Sequence, residues 1–338
     1  MLPSEKMKKS SENSPALSAS SITFPKMGIG CWSYGGGDYW GDQAQSDVDA
    51  VANTALDAGI IFFDTAVGYN EGRSEQSLGI ALKHRRQEAL IGTKTGDTNP
   101  ATLPDQLEGS LRRLQTDYID LYMIHWPNPR YPADEVFEVL SRLKTEGKIR
   151  AIGVCNFGYQ QLSETLAIGA PIETNQLCYN LLSRAIELEI VPLCQQHQIG
   201  ILAYMPLFQG ILADRFKTLE EIPPQQSRFR HFRPDHEMSR HDEAGAEVEL
   251  WQTLEKIRQI CRGKDLPMSR LAIAWVMAQT TVSCVLVGTR NTTELAQNLE
   301  GVNYTMPSDL VRKLDRLTLP LLQKLGGNAD YFWATRTK

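Results

Sequence analysis

The most constraining feature of this sequence is a regular alternation of short apolar segments with amphipathic ones. Amphipathic helices are predicted between most of the apolar segments, for example over 46–58, 104–114 and 132–146. The apolar segments are strand candidates and lie at 27–32, 59–64, 89–94, 118–125, 150–156, 172–177, 200–204 and 282–288. The run 60–63 reads as a strand buried on both faces, as in a parallel sheet. Eight strands that alternate with helices predict an α/β fold of one domain, a (β/α)8 TIM barrel.

A doubly wound parallel sheet is the rival arrangement of the same elements. It usually carries a glycine-rich dinucleotide-binding loop directly after its first strand. In this chain the corresponding segment has Gly28 and Gly30 but lacks the third glycine of the fingerprint. We therefore reject a Rossmann motif and favour the barrel.

Composition and charge limit the possible partners. The chain has 338 residues, 42% of them hydrophobic, and a net charge of −5 with no long basic run, which argues against nucleic acid and membrane surfaces. No apolar run approaches the roughly 18 residues of a membrane helix. The six cysteines form no C-x-x-C pair, which favours reduced thiols in the cytoplasm.

The first 21 residues are serine-rich and contain three lysines, but they have no apolar core of the kind that a secretory signal needs. A disordered tail is the expected structure of this segment. A plastid transit peptide is the alternative.

Polar residues stand at the carboxyl ends of three neighbouring predicted strands. Asp64 ends the second strand and Tyr69 follows five residues later, while Lys94 and His125 end the third and fourth strands. Each residue alone has an ordinary structural explanation, such as a capping aspartate or a satisfied core histidine. Because the strands of a barrel converge on one mouth, we expect the four side chains to meet there as an active site.

The segments that contain these residues resemble the successive signature segments of the aldo-keto reductases. They are 59–75, the strand that ends in Thr93 and Lys94, 117–126 and 149–156, and the resemblance runs from about residue 22 to 318. It implies hydride transfer between a nicotinamide cofactor and a carbonyl without a metal. Residues 1–21 and 319–338 are then tails, and the catalytic residues are Asp64, Tyr69, Lys94 and His125.

Carbonyl reduction gives each of these four residues a role. Negative charge develops on the substrate oxygen, which must receive a proton as hydride reaches the carbon. We expect Tyr69 to be the general acid/base, with its pKa lowered from about 10 by the Lys94 ammonium. Asp64 would keep Lys94 charged and fixed, and His125 would donate a hydrogen bond to the substrate oxygen.

The resemblance also implies where the cofactor binds. Asn156 and Gln176 match residues that hold the carboxamide, although Cys155 stands where the family usually has Ser, and Tyr204 matches the aromatic residue that stacks on the nicotinamide. The other implied cofactor positions are Gly30, Trp32, Asp64, Leu207, Gln209, Gly210, Gly288, Thr289, Arg290, Gln297 and Asn298.

The cofactor is expected to be NADP(H), with NAD(H) as the alternative. Thr289 and Arg290 at the start of a helix suit a phosphate, because backbone N–H groups and a guanidinium both attract an anion. Glu294, however, stands where many family members have Arg. Its carboxylate would repel the 2′-phosphate of NADP(H) unless it points away.

The substrate pocket is expected to be aromatic. Trp32 and Trp126 match family positions that wall this pocket, and Trp40 lies on a loop at the same mouth. Such a wall suits aldehydes with apolar or aromatic bodies. The C-terminal stretch either borders the pocket or packs on the outside of the barrel.

Residues 208–245 interrupt the regular alternation of predicted strands and helices. The segment is too long for an ordinary loop, so we expect an excursion on the carboxyl face of the barrel, with a lid as one reading. His231, His236 and His241 recur every five residues, a spacing that spreads them around a helix. A solvated or substrate-facing loop is therefore favoured over a metal site.

Two functions follow from these features. The first is an NAD(P)H-dependent reductase of aldehydes or ketones, or the reverse dehydrogenase, that acts on a small molecule. The second is a cofactor-sensing regulatory subunit with little turnover. The intact set of four strand-end residues favours the enzyme, while the substrate, the reaction direction and the oligomeric state stay open.

Overall fold

A computed structural model describes residues 22–333, so the tail predicted at 1–21 lies outside the described residues. Within them, parallel strands close into a barrel in sequence order, and β1 pairs with both β2 and β8. The strands are β1 (Met27–Gly30), β2 (Phe62–Asp64), β3 (Leu90–Thr95), β4 (Ile119–Ile124), β5 (Ile149–Cys155), β6 (Thr174–Cys178), β7 (Gly200–Tyr204) and β8 (Val282–Gly288). The predicted (β/α)8 barrel is confirmed.

Amphipathic helices surround the barrel. They are α1 (Gln45–Asp57), α2 (Arg73–Leu82), α3 (Leu103–Leu114), α4 (Ala133–Thr145), α5 (Tyr159–Ala167), α6 (Ile190–Gln196), α7 (Glu247–Lys264), α8 (Met268–Met277), α9 (Thr292–Val302) and α10 (Ser308–Leu325). The predicted helices 46–58, 104–114 and 132–146 correspond to α1, α3 and α4. None of the described helices is long and apolar enough to cross a membrane.

Helix α4 illustrates why these segments are helical. It follows Pro132, has acidic residues in its first turn and basic residues in its last, and so complements the helix dipole. Its apolar residues recur at helical spacing and are buried on one face, namely Val136, Phe137, Leu140 and Leu143. Burial of this face against the strands fixes the helix on the barrel.

Strand β2 is shorter than the predicted segment 59–64. Gly59 has a φ of +79°, a left-handed conformation that glycine adopts readily, and its N–H donates to Leu56 O at the end of α1. The turn that ends α1 therefore uses the first residues of the apolar run, and pairing starts at Phe62.

Side chains fill the interior of the barrel, which is therefore a packed core and not a pore. The ring of Phe62 crosses this interior. A Cβ added at Gly28 would lie 2.8 Å from Phe62 Cδ1, and one at Gly92 would lie 2.9 Å from Phe62 Cζ. The two neighbouring strands thus need glycine at these positions to accommodate the ring.

The excursion predicted at 208–245 and the C-terminal residues pack together at the carboxyl end of the barrel. Arg230 connects them, because its backbone N–H donates to Tyr331 O at 2.8 Å and its guanidinium donates to Asn328 O at 2.9 Å and Leu325 O at 3.0 Å. The Tyr331 hydroxyl accepts from the Ala185 N–H at 2.8 Å. Helix α10 runs through residue 319, and the chain beyond it returns to the mouth.

Candidate active site

The structure brings the four strand-end residues together at the mouth of the barrel. Lys94 Nζ donates to Asp64 Oδ2 at 2.7 Å and to Thr65 O at 2.7 Å, and it lies 3.3 Å from the Tyr69 hydroxyl. The ring of His125 lies 5.6 Å from that of Tyr69, edge to face. The phenol and the imidazole thus border the same small space, and the ammonium lies directly behind the phenol.

Strand register explains why Asp64 and Lys94 meet. Asp64, the last residue of β2, pairs with Gly92 of β3, so Lys94 lies two residues further on the same face of β3. Lys94 is 0% exposed and Asp64 is 4% exposed. The two charges therefore form a buried ion pair directly behind Tyr69.

Tyr69 is positioned by a strained turn that the sequence analysis did not identify. It begins a 3₁₀ turn, Tyr69–Gly72, in which Asn70 and Glu71 have φ values of 49° and 57°. The Asn70 amide donates to Trp32 O at 2.9 Å and to Tyr34 O at 2.8 Å. Asparagine tolerates this left-handed backbone better than most residues, and that tolerance is the local signal that could have revealed its role.

Burial has the largest effect on the electrostatics of the site. Burial raises the pKa of the Tyr69 phenol to about 12, although the Lys94 ammonium opposes the rise. The expected net lowering of this pKa is therefore wrong: Lys94 acts in the expected direction, but burial outweighs it. Burial also disfavours charge on Lys94, yet the Asp64 carboxylate keeps the lysine pKa above its usual value. Lys94 is thus an ammonium and Tyr69 a neutral phenol at pH 7.

A cavity of about 490 Å³ extends from these residues across the mouth. Most of the predicted site residues line it, namely Gly30, Trp32, Trp40, Asp64, Tyr69, His125, Trp126, Asn156, Gln176, Tyr204, Leu207, Gln209, Gly210, Gly288 and Arg290. Four implied positions do not reach its surface: Lys94 lies behind Tyr69, Thr289 and Asn298 are buried against each other, and Gln297 is exposed on α9.

The residues expected around the carboxamide form a connected network. The Tyr204 hydroxyl donates to Asn156 Oδ1 at 2.7 Å, and Asn156 Nδ2 donates to His125 O at 3.1 Å. Gln176 Nε2 donates to Asp64 Oδ1 at 2.7 Å, which ties the ion pair to β6. Cys155 is buried inside the barrel and does not line the cavity, so it does not replace the polar contact of a serine there.

At the other end of the cavity, the side chains of Arg290 and Glu294 already form hydrogen bonds within the protein. The Arg290 guanidinium donates to Gln43 Oε1 at 2.9 Å and to Trp40 O at 2.7 Å. One Glu294 oxygen accepts from the Arg290 backbone N–H at 2.9 Å, and the other lies 3.6 Å from Arg215. Glu294 therefore occupies a backbone donor that was expected to serve a phosphate.

The excursion and the C-terminal residues supply a wall that the motifs did not indicate. Arg228, Arg240, Phe332 and Trp333 line the cavity. The Phe332 ring lies 5.8 Å from Trp126 and 4.9 Å from Phe229. Of the two placements left open for the C-terminal stretch, the described residues up to 333 border the pocket. The arginine-rich run 228–236 was visible in the sequence, but its orientation was not.

None of the three histidines of the excursion lines the cavity. His231 is fully buried and its Nε2 lies 2.9 Å from Leu182 O, and burial lowers its pKa to about 3. His236 Nε2 lies 2.8 Å from Glu247 Oε1. Over residues 22–333, no group of three metal-ligating side chains is arranged to hold an ion.

Comparison with known proteins identifies the family to which this chain is similar. A family model described as the aldo/keto reductase family matches residues 26–318. Aldo-keto reductase YhdN of Bacillus subtilis (strain 168) is 33% identical over 306 residues, which cover 87% of this chain and 90% of that protein. The NADH-specific methylglyoxal reductase of Escherichia coli (strain K12) is 31% identical over 317 residues, with 86% and 93% covered.

Solved structures show the same fold. The aldo-keto reductase AKR11C1 from Bacillus halodurans, in its holo form, superimposes with a TM-score of 0.74 and 27% identity over 96% of this chain and 99% of that chain. The aldo-keto reductase from Klebsiella pneumoniae in complex with NADPH gives a TM-score of 0.67 and 27% identity over 93% and 94%.

Proposed function

Because the chain belongs to the aldo-keto reductase family, we propose that Tyr69 is the general acid/base of an NAD(P)H-dependent carbonyl reductase. Membership of this family supports the activity, which is NAD(P)H-dependent reduction of a carbonyl. The regulatory alternative has no support in the relatives described above, which are named as reductases. The residue roles rest on one observation: the Tyr69 hydroxyl lies 3.3 Å from a buried ammonium.

The proposed proton transfer follows from this geometry. As hydride reaches the carbonyl carbon, the carbonyl oxygen takes the proton of Tyr69 and becomes the hydroxyl of the product. The phenolate that remains is stabilised by Lys94, whose own charge is maintained by Asp64. His125 borders the same space and would orient the substrate oxygen.

The raised pKa of Tyr69 favours the reductive direction. With a pKa of about 12, the phenol carries its proton at pH 7 and is ready to donate it. An alkoxide is a stronger base than a phenolate, so the transfer is downhill once the oxygen becomes negative. The reverse oxidation needs a phenolate, which is scarce at neutral pH. Together with the relative named as a methylglyoxal reductase, this protonation state leads us to propose the aldehyde reductase type over the alcohol dehydrogenase type.

The cavity fits a nicotinamide dinucleotide, which would supply the hydride. It runs from Tyr69 past Tyr204 to Gly288 and Arg290, and Asn156 and Gln176 border its inner part. Two buried polar atoms on its wall, Ser33 Oγ and Trp40 Nε1, have no hydrogen-bond partner among the described residues. Polar atoms left in this state indicate that a polar ligand belongs beside them.

The contacts of Glu294 with Arg215 and with the Arg290 backbone support use of both cofactors. Its carboxylate faces the cavity beside Arg215 and Arg290 and so weakens the attraction that these cations offer to a 2′-phosphate. One relative is named as NADH-specific and a structural neighbour was solved with NADPH. We propose that NADPH and NADH bind within about one order of magnitude of each other.

The cysteines support a reducing compartment. All six lie within the described residues, and all are free and buried. On this basis we propose a cytoplasmic setting for the enzyme.

Substitution of Tyr69 by Phe tests the proposed acid/base. The variant should keep its Kd for NADPH, while kcat for an activated aldehyde such as 4-nitrobenzaldehyde falls by about 10²- to 10⁴-fold, the range that general acid–base catalysis contributes. Tyr159→Phe is the matched control, because Tyr159 is 49% exposed and is not one of the residues that line the cavity. Near-wild-type turnover by Tyr69→Phe would disprove the role.

A further inference from the structure

We propose that Arg228 and Arg240 form an anion-binding subsite at the substrate end of the cavity, so that the preferred substrate is an aldehyde carrying a remote anionic group. The inference builds on the proposed carbonyl reductase function and names its substrate class. It revises the sequence-based expectation, in which tryptophans alone suggested apolar or aromatic aldehydes.

Within the described part of the chain, Arg228 is held in place by aromatic rings and not by an acid. Its guanidinium carbon lies 5.0 Å from the ring centre of Tyr39, 5.2 Å from Phe332, 5.6 Å from Phe229 and 5.9 Å from Trp32. Ring faces attract a cation and exclude water, but they do not accept its N–H groups as a carboxylate would. The guanidinium is therefore fixed and partly desolvated, while its terminal N–H groups have no acceptor among the described residues.

The hydrogen bonding of Arg228 is incomplete. Its Nε is buried without an acceptor, and within residues 22–333 the side chain forms neither a hydrogen bond nor an ion pair. Other arginines near this surface are neutralised: Arg230 pairs with Glu243 at 2.8 Å, and Arg233 pairs with Glu247 at 3.1 Å. A half-buried guanidinium without such a partner is unfavourable unless a ligand supplies the anion.

A second cation reinforces the site. Arg240 lines the same cavity and lies 5.2 Å from the ring centre of Trp333, with no acid paired to it among the described residues. Burial lowers the pKa of Arg228, the nearby Tyr39 and Tyr204 hydroxyls partly oppose this shift, and the neighbouring Arg240 charge adds to it. Two uncompensated cations on one wall generate a positive potential that attracts an anion into the mouth.

The subsite lies on the substrate side of the catalytic residues. Trp32 contacts the Arg228 guanidinium, and its ring also lies 5.8 Å from the Tyr69 ring. On the opposite wall, Phe332 links Arg228 to Trp126 at 5.8 Å, and Trp126 stacks with His125 at 6.5 Å. A substrate whose carbonyl meets Tyr69 and His125 can therefore place its far end at Arg228.

A matched pair of aldehydes tests the proposal. The ratio of kcat/KM for 4-carboxybenzaldehyde to that for its neutral methyl ester should favour the acid in the wild-type enzyme. In Arg228→Gln this ratio should fall by at least about tenfold, the loss expected for one charge-assisted hydrogen bond. Arg228→Lys, which keeps the charge without the planar fork, should recover part of the ratio.

A second arginine of the excursion provides the matched control. Arg233→Gln removes an exposed arginine of the same excursion and should leave the ratio unchanged. Equal losses for acid and ester in Arg228→Gln would overturn the proposal. So would a weaker Kd for NADPH that accounts for the whole effect, since the anion would then be the cofactor's phosphate.

A binding measurement with an unreactive ligand tests the anion subsite separately from the proposed reductase function. The Kd of 4-methylbenzoate for the NADP⁺-loaded enzyme, measured by calorimetry, should weaken at least about tenfold in Arg228→Gln. If the wild-type protein reduces neither aldehyde but binds the benzoate through Arg228, the reductase function fails and the anion subsite stands. No dependence of benzoate binding on Arg228 would disprove the subsite.

Discussion

Replacing Lys94 by Met should separate the structural from the chemical role of the buried ion pair. The substitution removes an ammonium that is 0% exposed and lies 2.7 Å from Asp64 Oδ2. It leaves a buried carboxylate without its cation, which costs about 3–5 kcal/mol. We expect the free energy of unfolding in urea, followed by circular dichroism at pH 7, to fall by that amount.

The double variant Lys94→Met, Asp64→Asn tests whether the stranded charge is the cause. Asparagine keeps the acceptor for Gln176 but carries no charge, so about 2 kcal/mol or more should return. A deficit of about 1–3 kcal/mol should remain, because Thr65 O has lost its donor. Turnover should stay at least about 10²-fold below wild type in both variants, since neither supplies an ammonium to Tyr69.

The loss of stability in Lys94→Met should also depend on pH. Burial raises the pKa of Asp64, and without Lys94 the rise is larger. A carboxyl whose folded pKa exceeds its unfolded value stabilises the fold at low pH and loses that contribution as pH rises through the folded pKa. The deficit of Lys94→Met at pH 7 should therefore shrink towards pH 5. A single variant that loses less than about 1 kcal/mol at pH 7, with no pH dependence, would refute the buried-pair argument.

Three further predictions concern other parts of the molecule. Glu294→Gln should improve the Kd for NADPH relative to NADH by about tenfold at low salt, and less at high salt, because it removes a carboxylate beside Arg215; an unchanged ratio would contradict this role. His231 has a folded pKa of about 3 against about 6.5 unfolded, so its contribution to stability decreases as pH falls below 6.5. The difference in unfolding free energy between wild type and His231→Asn should therefore shrink by about 2 kcal/mol between pH 7 and pH 5, and a constant difference would exclude a neutral buried imidazole. Asn70→Ala should lower kcat without weakening cofactor binding, since it releases the turn that holds Tyr69, whereas a change in the Kd for NADPH alone would argue against this positioning role.

The alternation of strands and helices was sufficient to predict the barrel, since each strand buries both faces and each helix buries one. The four strand-end residues could also be predicted, because parallel strands place their carboxyl ends at the same mouth. Local conformation was harder to predict: the turn at Gly59 shortened β2, and nothing in the spacing of Asn70 indicated its two hydrogen bonds to the first loop.

The sequence by itself determined the topology and the position of the chemical groups along it, since periodicity and strand order are local properties of the chain. Tertiary structure decided the environment of those groups. Arg228 reaches the cavity because residues far apart in sequence, Trp32 and Phe332 among them, enclose it. Tyr69 remains a neutral phenol because partial burial in the folded chain disfavours its charged form, and this effect outweighs the charge of Lys94. Burial and long-range contact depend on all the elements at once, so no single segment of the sequence specifies them.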